Sequence, residues 1–175
     1  MNIWKDINPK RISPSEFVAV VEISKGSKKK YEMDKETGML ILDRILYTST
    51  HYPANYGFIP LTYAEDNDPL DVLILCSESL APMSLVRCRP IGMLTMIDSG
   101  SRDEKIIAVA INDPNYSGYT SLDELPKHLF DEMEHFFTVY KQLEGKSTAV
   151  NSLDNRQMAE QTIATCMEEF KRHIK

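Results

Sequence analysis

A length of 175 residues, 42% of them hydrophobic, predicts one domain spanning residues 1–175 with a core of useful size. With 26 acidic against 20 basic residues, the net charge is -6, which disfavours nucleic acid and anionic membrane surfaces as partners. Because no stretch approaches the ~18 apolar residues of a membrane span, and the first residues lack the apolar segment of a signal peptide, we expect a cytoplasmic protein.

Short β-branched and apolar runs, separated by turn-forming segments, fill the chain to about residue 110. This pattern is typical of β-strands, and the candidates are 17–23, 31–34, 39–46, 72–76, 85–97 and 106–111. Several strands at such spacing favour a small antiparallel β-barrel that is closed or partly closed.

The apolar period becomes helical in the last third of the chain. A first helix is predicted from apolar residues at steps of three and four, with Pro126 near its first turn: Leu125, Leu129, Met133, Phe136, Tyr140 and Leu143. A second amphipathic helix is predicted to open near Asp154 and to run through Ile174.

Cysteine and histidine usage argues against a centre built from soft ligands. Cys76, Cys88 and Cys166 are odd in number and widely spaced, so we expect reduced and mostly buried thiols. The four histidines are scattered along the chain as well. Any bound metal is therefore expected to have oxygen ligands.

The segment Asp66-Asn67-Asp68-Pro69-Leu70-Asp71-Val72 places three aspartates in six residues. Asp66 and Asp68 point the same way in an extended chain, and Asp71 can join them if the chain bends at Pro69. Two like charges ~4 Å apart repel by ~4 kcal/mol at an effective dielectric near 20, so the carboxylates either splay into water or are neutralised by cations. A solvated acidic turn and a metal platform are both open at this point.

Other chemistries of acidic loops fit less well. An EF-hand that began at Asp66 would need an oxygen ligand, a glycine and a glutamate where Leu70, Asp71 and Ser77 stand. An aspartyl nucleophile would need a stronger apolar strand before it. The chain has no glycine-rich nucleotide-binding motif.

Further polar residues occur in a distinctive order around DNDPLDV. They are Glu22 in an apolar strand, Lys30-Tyr31-Glu32, Asp43-Arg44, YPANYG at 52–57, Asp98 with Asp103 and Lys105, and Tyr140-Lys141. Together with DNDPLDV they closely resemble the soluble family I inorganic pyrophosphatases in their short prokaryotic form. The resemblance runs from about Glu16 to Leu143, and DNDPLDV is its most specific motif.

The resemblance implies an α+β fold, mainly β, with a five-stranded OB-like antiparallel barrel and two packed helices towards the C-terminus. It also implies hydrolysis of pyrophosphate to two orthophosphates by direct attack of a water activated by Mg²⁺, with several ions bound. Asp68 resembles the general base. The implied metal ligands are Asp66, Asp71 and Asp103 for the tightest ion, Asp98 for ions that arrive with substrate, and Glu22 and Glu32 as outer ligands. The implied phosphate-binding groups are Lys30, Arg44, Tyr56, Lys105, Tyr140 and Lys141.

The family also implies a homohexamer. Val139 stands where some relatives carry a second histidine after His135, in a region used for subunit contacts, and the tail after Glu144 departs from the common pattern. Simpler interpretations of these residues remain open. Arg44 and the lysines could be exposed strand residues, and the tyrosines, Tyr52 above all, could be aromatic residues of the core. The alternative function is an OB-like module that binds single-stranded nucleic acid without catalysis, which the net charge disfavours.

Overall fold

The computed structural model describes residues 1–174. The strands are β1 (Phe17–Ile23), β2 (Lys29–Met33), β3 (Leu40–Ile45), β4 (Asn55–Ile59), β5 (Leu70–Leu75), β6 (Leu85–Asp98), β7 (Ser101–Ala110) and β8 (Thr148–Asn155). The α-helices are α1 (Lys127–Val139) and α2 (Arg156–His173). The predicted strands and both helices are present, and β4 and β8 are additional.

Five strands close into a barrel in the order β1-β4-β5-β7-β6. The ring closes because β1 pairs with β6 through its first residues, as in Phe17 opposite Cys88, and with β4 further along, as in Val20 opposite Phe58. The chain thus has the predicted mainly β fold with a five-stranded barrel and two helices.

One pairing in the barrel departs from the antiparallel prediction. Strands β5 and β7 run parallel, with Asp71 opposite Lys105. The reason is that β6 intervenes in the chain but lies on the far side of β7, so β7 returns in the direction of β5. Parallel strands need such a crossover connection.

The sequence did not reveal β4, because a polar residue and a glycine interrupt its apolar pattern. The Asn55 side chain accepts hydrogen bonds from the backbone N–H groups of Lys25 at 3.0 Å and Leu80 at 2.9 Å, so it is satisfied although fully buried. A Cβ at Gly57 would lie 1.8 Å from the carbonyl oxygen of Val20. Only glycine lets β4 approach β1 this closely.

The two helices cover different parts of the sheet. Buried residues of α1 join a cluster with Leu73 and Leu75, whereas buried residues of α2 join a second cluster with Val72 and Ile74. Successive side chains of β5 therefore point to opposite faces of the sheet, as strand geometry requires. Both predicted helices exist, but α1 ends at Val139, and Leu143 is 69% exposed. Assigning Leu143 to the apolar stripe of this helix was therefore wrong.

The second helix begins at Arg156, close to the predicted start near Asp154. The residues before it form β8, which extends the sheet along β6. The Asn155 side chain accepts a hydrogen bond from the Met158 N–H at 3.0 Å and so caps the helix. No helix within residues 1–174 is both long enough and apolar enough to cross a membrane. The three cysteines are free and buried, as predicted.

Strands β2 and β3 form a separate two-stranded hairpin beside the barrel. Its burial is shallow, and several large apolar side chains on or next to β3 are exposed, namely Met39, Ile41, Leu42, Ile45 and Tyr47. The hairpin and the barrel both contribute residues to the lining of one cavity.

Candidate active site

A cavity of about 440 Å³ lies between the barrel, the β2–β3 hairpin and the end of α1. Every site residue predicted from the sequence lines it except Arg44. The lining includes Glu22, Lys30, Glu32, Tyr56, Asp66, Asp68, Asp71, Asp98, Asp103, Lys105, Tyr140 and Lys141. The tertiary structure thus brings together residues that lie up to 119 positions apart, from Glu22 to Lys141.

The acidic segment forms a tight turn before β5. The Ala64 N–H donates to the Asp68 carbonyl at 2.8 Å, and Asn67 adopts the left-handed region with φ of 67°. The Asp68 N–H donates to Asp66 Oδ1 at 3.1 Å. The turn is therefore held by its own backbone and by two side-chain acceptors, Asp66 and Asn67, the second of which accepts from the Tyr63 hydroxyl at 2.8 Å.

Thr62 anchors the far end of this turn to the barrel. Its buried hydroxyl donates to the Ile59 carbonyl at 2.6 Å and accepts from the Leu70 N–H at 2.8 Å. Leu70 starts β5, so the hydroxyl fixes the point at which the chain leaves the turn. Asp71 follows directly and faces the cavity.

Lys105 lies at the centre of the site, with a side chain only 3% exposed. Its Nζ donates to Asp71 Oδ2 at 2.8 Å, to the Tyr56 hydroxyl at 2.8 Å and to Asp103 Oδ2 at 3.1 Å. Burial alone would lower the pKa of Lys105, but the charges of Asp103 and Asp71 outweigh it and raise the pKa well above its usual value. The ammonium therefore remains charged and links three strands of the barrel, β4, β5 and β7.

Burial and mutual repulsion raise the pKa of several carboxyls in the cavity. Desolvation, helped by the charge of Asp71, raises the pKa of Glu22 from 4.5 to about 8. The Glu22 carboxylate accepts a hydrogen bond from the Met33 N–H at 2.8 Å, which opposes this shift. Asp66 is exposed as a whole residue, yet partial desolvation and Asp71 raise its pKa to about 6. The site holds more negative charge than its own cations neutralise.

Asp98 and Lys141, which both line the cavity, form an ion pair. Burial opposes ionisation of Asp98, but the hydrogen bond and charge of Lys141 lower its pKa below the usual value. Tyr140 is buried beside this pair, and desolvation raises its pKa. Its hydroxyl is therefore protonated at neutral pH and can donate.

The hairpin contributes a second group of charges. Lys30 pairs with Glu32 on its own strand and lies 3.3 Å from Asp43 across the hairpin. Arg44 is next to the cavity without lining it. It pairs with Asp43, and its Nε lies 2.8 Å from Glu144 Oε1.

The donor set suits a hard cation, although the carboxylates are not closed around one. Within residues 1–174, no three histidine, cysteine or acidic side chains are arranged so that they alone could hold an ion. The Lys105 ammonium lies between Asp71 and Asp103 and supplies the positive charge between these two carboxylates. Carboxylate oxygens are the ligands that Mg²⁺ prefers, so the residues fit this ion by chemistry.

Some residues of the site escaped sequence reasoning. Lys35 lines the cavity, pairs with Asp68, and donates to the Asn67 carbonyl at 3.1 Å. Glu144 was noted only as the start of a divergent tail. Neither lies in a motif, and a lone lysine or glutamate carries no signal in sequence. Tyr52 is 2% exposed and packs on Phe136, which fits its interpretation as a core aromatic.

A second cavity, of about 560 Å³, lies on the other side of the acidic turn against α2. It shares Asp66, Asp71 and Asp103 with the first cavity, but no lysine in the described part of the chain lines it, and its arginine, Arg102, pairs with Glu104 at 3.3 Å. Binding of a phosphate-rich anion needs cations. The first cavity, in which acids and lysines meet, is therefore the candidate active site.

Comparison with known proteins agrees with this geometry. A family model described as "Inorganic pyrophosphatase" matches residues 19–171. Soluble inorganic pyrophosphatase 1 of Arabidopsis thaliana is 47% identical over 98% of this chain and 81% of its own length. Soluble inorganic pyrophosphatase 2 of Chlamydomonas reinhardtii is 44% identical over 97% of this chain and 88% of its own length. The crystal structure of an inorganic pyrophosphatase from Thermus thermophilus superposes with a TM-score of 0.93 at 34% identity, covering 98% of this chain and 99% of that one. The chain belongs to the inorganic pyrophosphatase family.

Proposed function

We propose that this protein hydrolyses inorganic pyrophosphate to two orthophosphates by direct attack of a water molecule, with Mg²⁺ as its cofactor. Hydrolysis of pyrophosphate follows from membership of the family and from relatives named for that activity. The observation that carries the proposal is the meeting of a carboxylate cluster with three buried or half-buried lysines in one cavity. Such a site suits an anion that arrives with divalent cations.

The carboxylates of the cavity fall into three groups of metal ligands. We assign Asp66, Asp71 and Asp103 to the tightest ion, Asp98 to ions that come with substrate, and Glu22 and Glu32 to outer positions. When bound, Mg²⁺ would lower the pKa of an attacking water and neutralise charge on the phosphates. The pKa values of Asp66 and Glu22 are raised first by desolvation and then by the charge of Asp71, and a cation bound nearby would oppose both effects, which supports this assignment.

The cations and hydroxyls form the phosphate-binding side of the cavity. Lys30, Lys105 and Lys141 supply charge, Tyr56 and Tyr140 supply hydroxyl donors, and Arg44 supplies a guanidinium at the edge. Each lysine already pairs with a carboxylate. A phosphate oxygen can replace a carboxylate oxygen as the acceptor at similar geometry, so each lysine keeps an anionic partner when substrate enters, and the carboxylate that it releases would be neutralised by Mg²⁺.

We assign the role of general base to Asp68. Its side chain is 49% exposed, so an incoming water can reach its carboxylate, and its backbone is fixed by the turn. Its partner Lys35 is equally exposed, at 49%, so this pair opens at little cost. Asp68 would accept the proton of the attacking water as the bond to phosphorus forms.

The experiment is phosphate release from pyrophosphate, with and without Mg²⁺, with ATP and a phosphomonoester as controls. We expect Mg²⁺-dependent release from pyrophosphate. Asp68→Asn should lower kcat at least ~100-fold, the magnitude typical of a lost general base, with folding and metal binding nearly intact. Asp131→Asn on the outer face of α1 is the matched control and should leave kcat unchanged. A kcat for Asp68→Asn near that of wild type would refute the assignment.

The alternative of a nucleic-acid-binding module has less support. Its basic groups would have to face an anionic strand, but here they are paired with acids inside the cavity. Binding of single-stranded DNA that weakens steeply with salt, in a protein that releases no phosphate from pyrophosphate, would favour that alternative.

The quaternary and cellular context is part of the proposal. We propose a single pyrophosphatase domain over residues 1–175, a homohexamer, and a cytoplasmic location. The relatives are named as soluble enzymes. Exposed apolar residues of the hairpin, such as Ile41 at 57% and Tyr47 at 61%, support assembly, because a neighbouring copy would remove them from water. A monomeric mass by light scattering at working concentration would contradict the hexamer.

A further inference from the structure

An ion pair next to the cavity joins the hairpin to the segment after α1. Arg44 Nε on β3 lies 2.8 Å from Glu144 Oε1, and the two side chains are only 18% and 8% exposed. The contact is an ion pair without hydrogen-bond alignment: within residues 1–174, Arg44 Nε and Nη2 and Glu144 Oε2 are buried without a hydrogen-bond partner. The pair is thus close and desolvated, yet it leaves a guanidinium donor free for another acceptor.

Glu144 lies on a short turn that also carries a residue of the cavity. Residues Gln142–Glu144 form one 3-10 turn, and the Glu144 N–H donates to the Lys141 carbonyl at 3.1 Å. Gly145 ends the turn with φ of 71°, a conformation that favours glycine. The turn fixes Glu144 relative to Lys141, which lines the cavity. A side chain that pairs with Glu144 is therefore also held in a defined position relative to the cavity.

Arg44 faces the same side of the hairpin as a residue of the cavity. It is paired in register with Lys30, and directly opposite residues of antiparallel strands project to the same face. Lys30 lines the cavity. A modest movement of the Arg44 guanidinium would therefore carry it to the opening.

Arg44 has two acidic partners within residues 1–174, and of these only Glu144 comes from outside the hairpin. Asp43 precedes Arg44 on β3 and moves with it, so this contact cannot position the hairpin against the barrel. Near its other end, the hairpin is tied to the acidic turn through Lys35. Glu144 supplies the corresponding tie near Arg44.

We propose that Glu144 is a positioning residue that holds Arg44 beside the cavity, from where a modest movement brings its buried, unpartnered Nη2 to a terminal phosphate of the substrate. The inference rests on the proposed function, which assigns phosphate binding to Arg44. Glu144 itself contacts neither substrate nor metal. It acts through Arg44 alone.

A double-mutant cycle on the full-length protein tests this directly. Steady-state kinetics with pyrophosphate and Mg²⁺ are measured for wild type, Arg44→Ala, Glu144→Gln and the double variant. We expect Glu144→Gln to lower kcat/KM about tenfold, the scale of a displaced binding group, mainly through a higher KM. Arg44→Ala should lower kcat/KM at least as far, and adding Glu144→Gln to it should change nothing more.

Matched controls separate positioning from folding. Glu132→Gln on the exposed side of α1 removes a carboxylate from a solvent-exposed pair and should match wild type. If Glu144→Gln shows no cooperative unfolding transition, Glu144→Asp replaces it, because it keeps the charge but is one methylene shorter.

Each remaining outcome has a distinct meaning. A wild-type kcat/KM for Glu144→Gln, or an equal loss with and without Arg44, would overturn the positioning role. Unchanged kinetics for Arg44→Ala would overturn the phosphate role of Arg44 and this inference with it. A wild-type protein that releases no phosphate under any metal would overturn the proposed function itself.

Discussion

Replacing Lys105 by methionine tests the electrostatic core of the site most directly. Methionine keeps an unbranched apolar stem in a position that is 2% exposed, but it removes the charge. Asp71 and Asp103, which Lys105 contacts at 2.8 and 3.1 Å, then face each other without a cation. Tyr56 also loses the donor to its hydroxyl.

The size of the effect follows from burial. Removing one partner of a buried ion pair costs about 3–5 kcal/mol of the free energy of unfolding, because the remaining charge stays desolvated. The side chains of Asp71 and Asp103 are 22% and 16% exposed, so water relieves part of that cost. We therefore expect a loss of about 3 kcal/mol in the absence of metal. A divalent cation bound to the same carboxylates would restore the missing charge and reduce the loss.

The assay is urea unfolding with a chelator and again with excess Mg²⁺. Lys127→Met is the control, because Lys127 is 86% exposed and water screens its pair with Asp131. A loss for Lys105→Met no larger than that of the control would refute the central role of the ammonium. An equal loss with and without Mg²⁺ would refute the idea that metal and ammonium serve the same carboxylates.

Three further predictions concern residues around the site. The pKa of Glu22 rises from 4.5 to about 8, so the folded state keeps a proton on Glu22 that the unfolded state loses between about pH 5 and 8. Without metal, the free energy of unfolding should therefore fall by up to about 1.4 kcal/mol per pH unit in this range, and Glu22→Gln should flatten the slope in urea titrations. Gly57→Ala should cost about 3 kcal/mol or prevent folding, because its Cβ would lie 1.8 Å from the Val20 carbonyl oxygen; wild-type thermal stability would contradict this. Thr62→Val should cost about 1–3 kcal/mol in urea unfolding, because the buried Leu70 N–H loses its acceptor, whereas Thr62→Ser should not.

Much of the fold was predictable because local patterns and global structure agree. The runs that became β1, β5 and β7 carry β-branched residues between turn segments, and they are strands in the structure. The missed strands have physical explanations. β4 contains Asn55, whose buried amide is satisfied by distant backbone groups, and β8 has a half-buried, weakly alternating pattern. Neither environment is visible in a short window of sequence.

The candidate site was predicted through motifs rather than through contacts. DNDPLDV and its companion residues marked nearly the whole cavity lining, because their order matches a known family. Lys35 and Glu144 belong to no motif, and their roles depend on which elements lie next to them. Arg44 was predicted among the phosphate-binding groups, and its place beside the cavity emerged only from the packing of the hairpin.

The sequence by itself determined the chemical inventory: an acidic turn, separate lysines, scattered cysteines and histidines, and a barrel followed by two helices. The tertiary structure decided which charges meet. Asp71 faces Lys105 only because β6 lies outside β7 and leaves β5 and β7 parallel and in register. Glu144 meets Arg44 only because a turn after α1 lies against the hairpin. Local propensities depend on near neighbours in the chain, whereas Coulomb interactions depend on distances in space, and those distances exist only once the chain has folded.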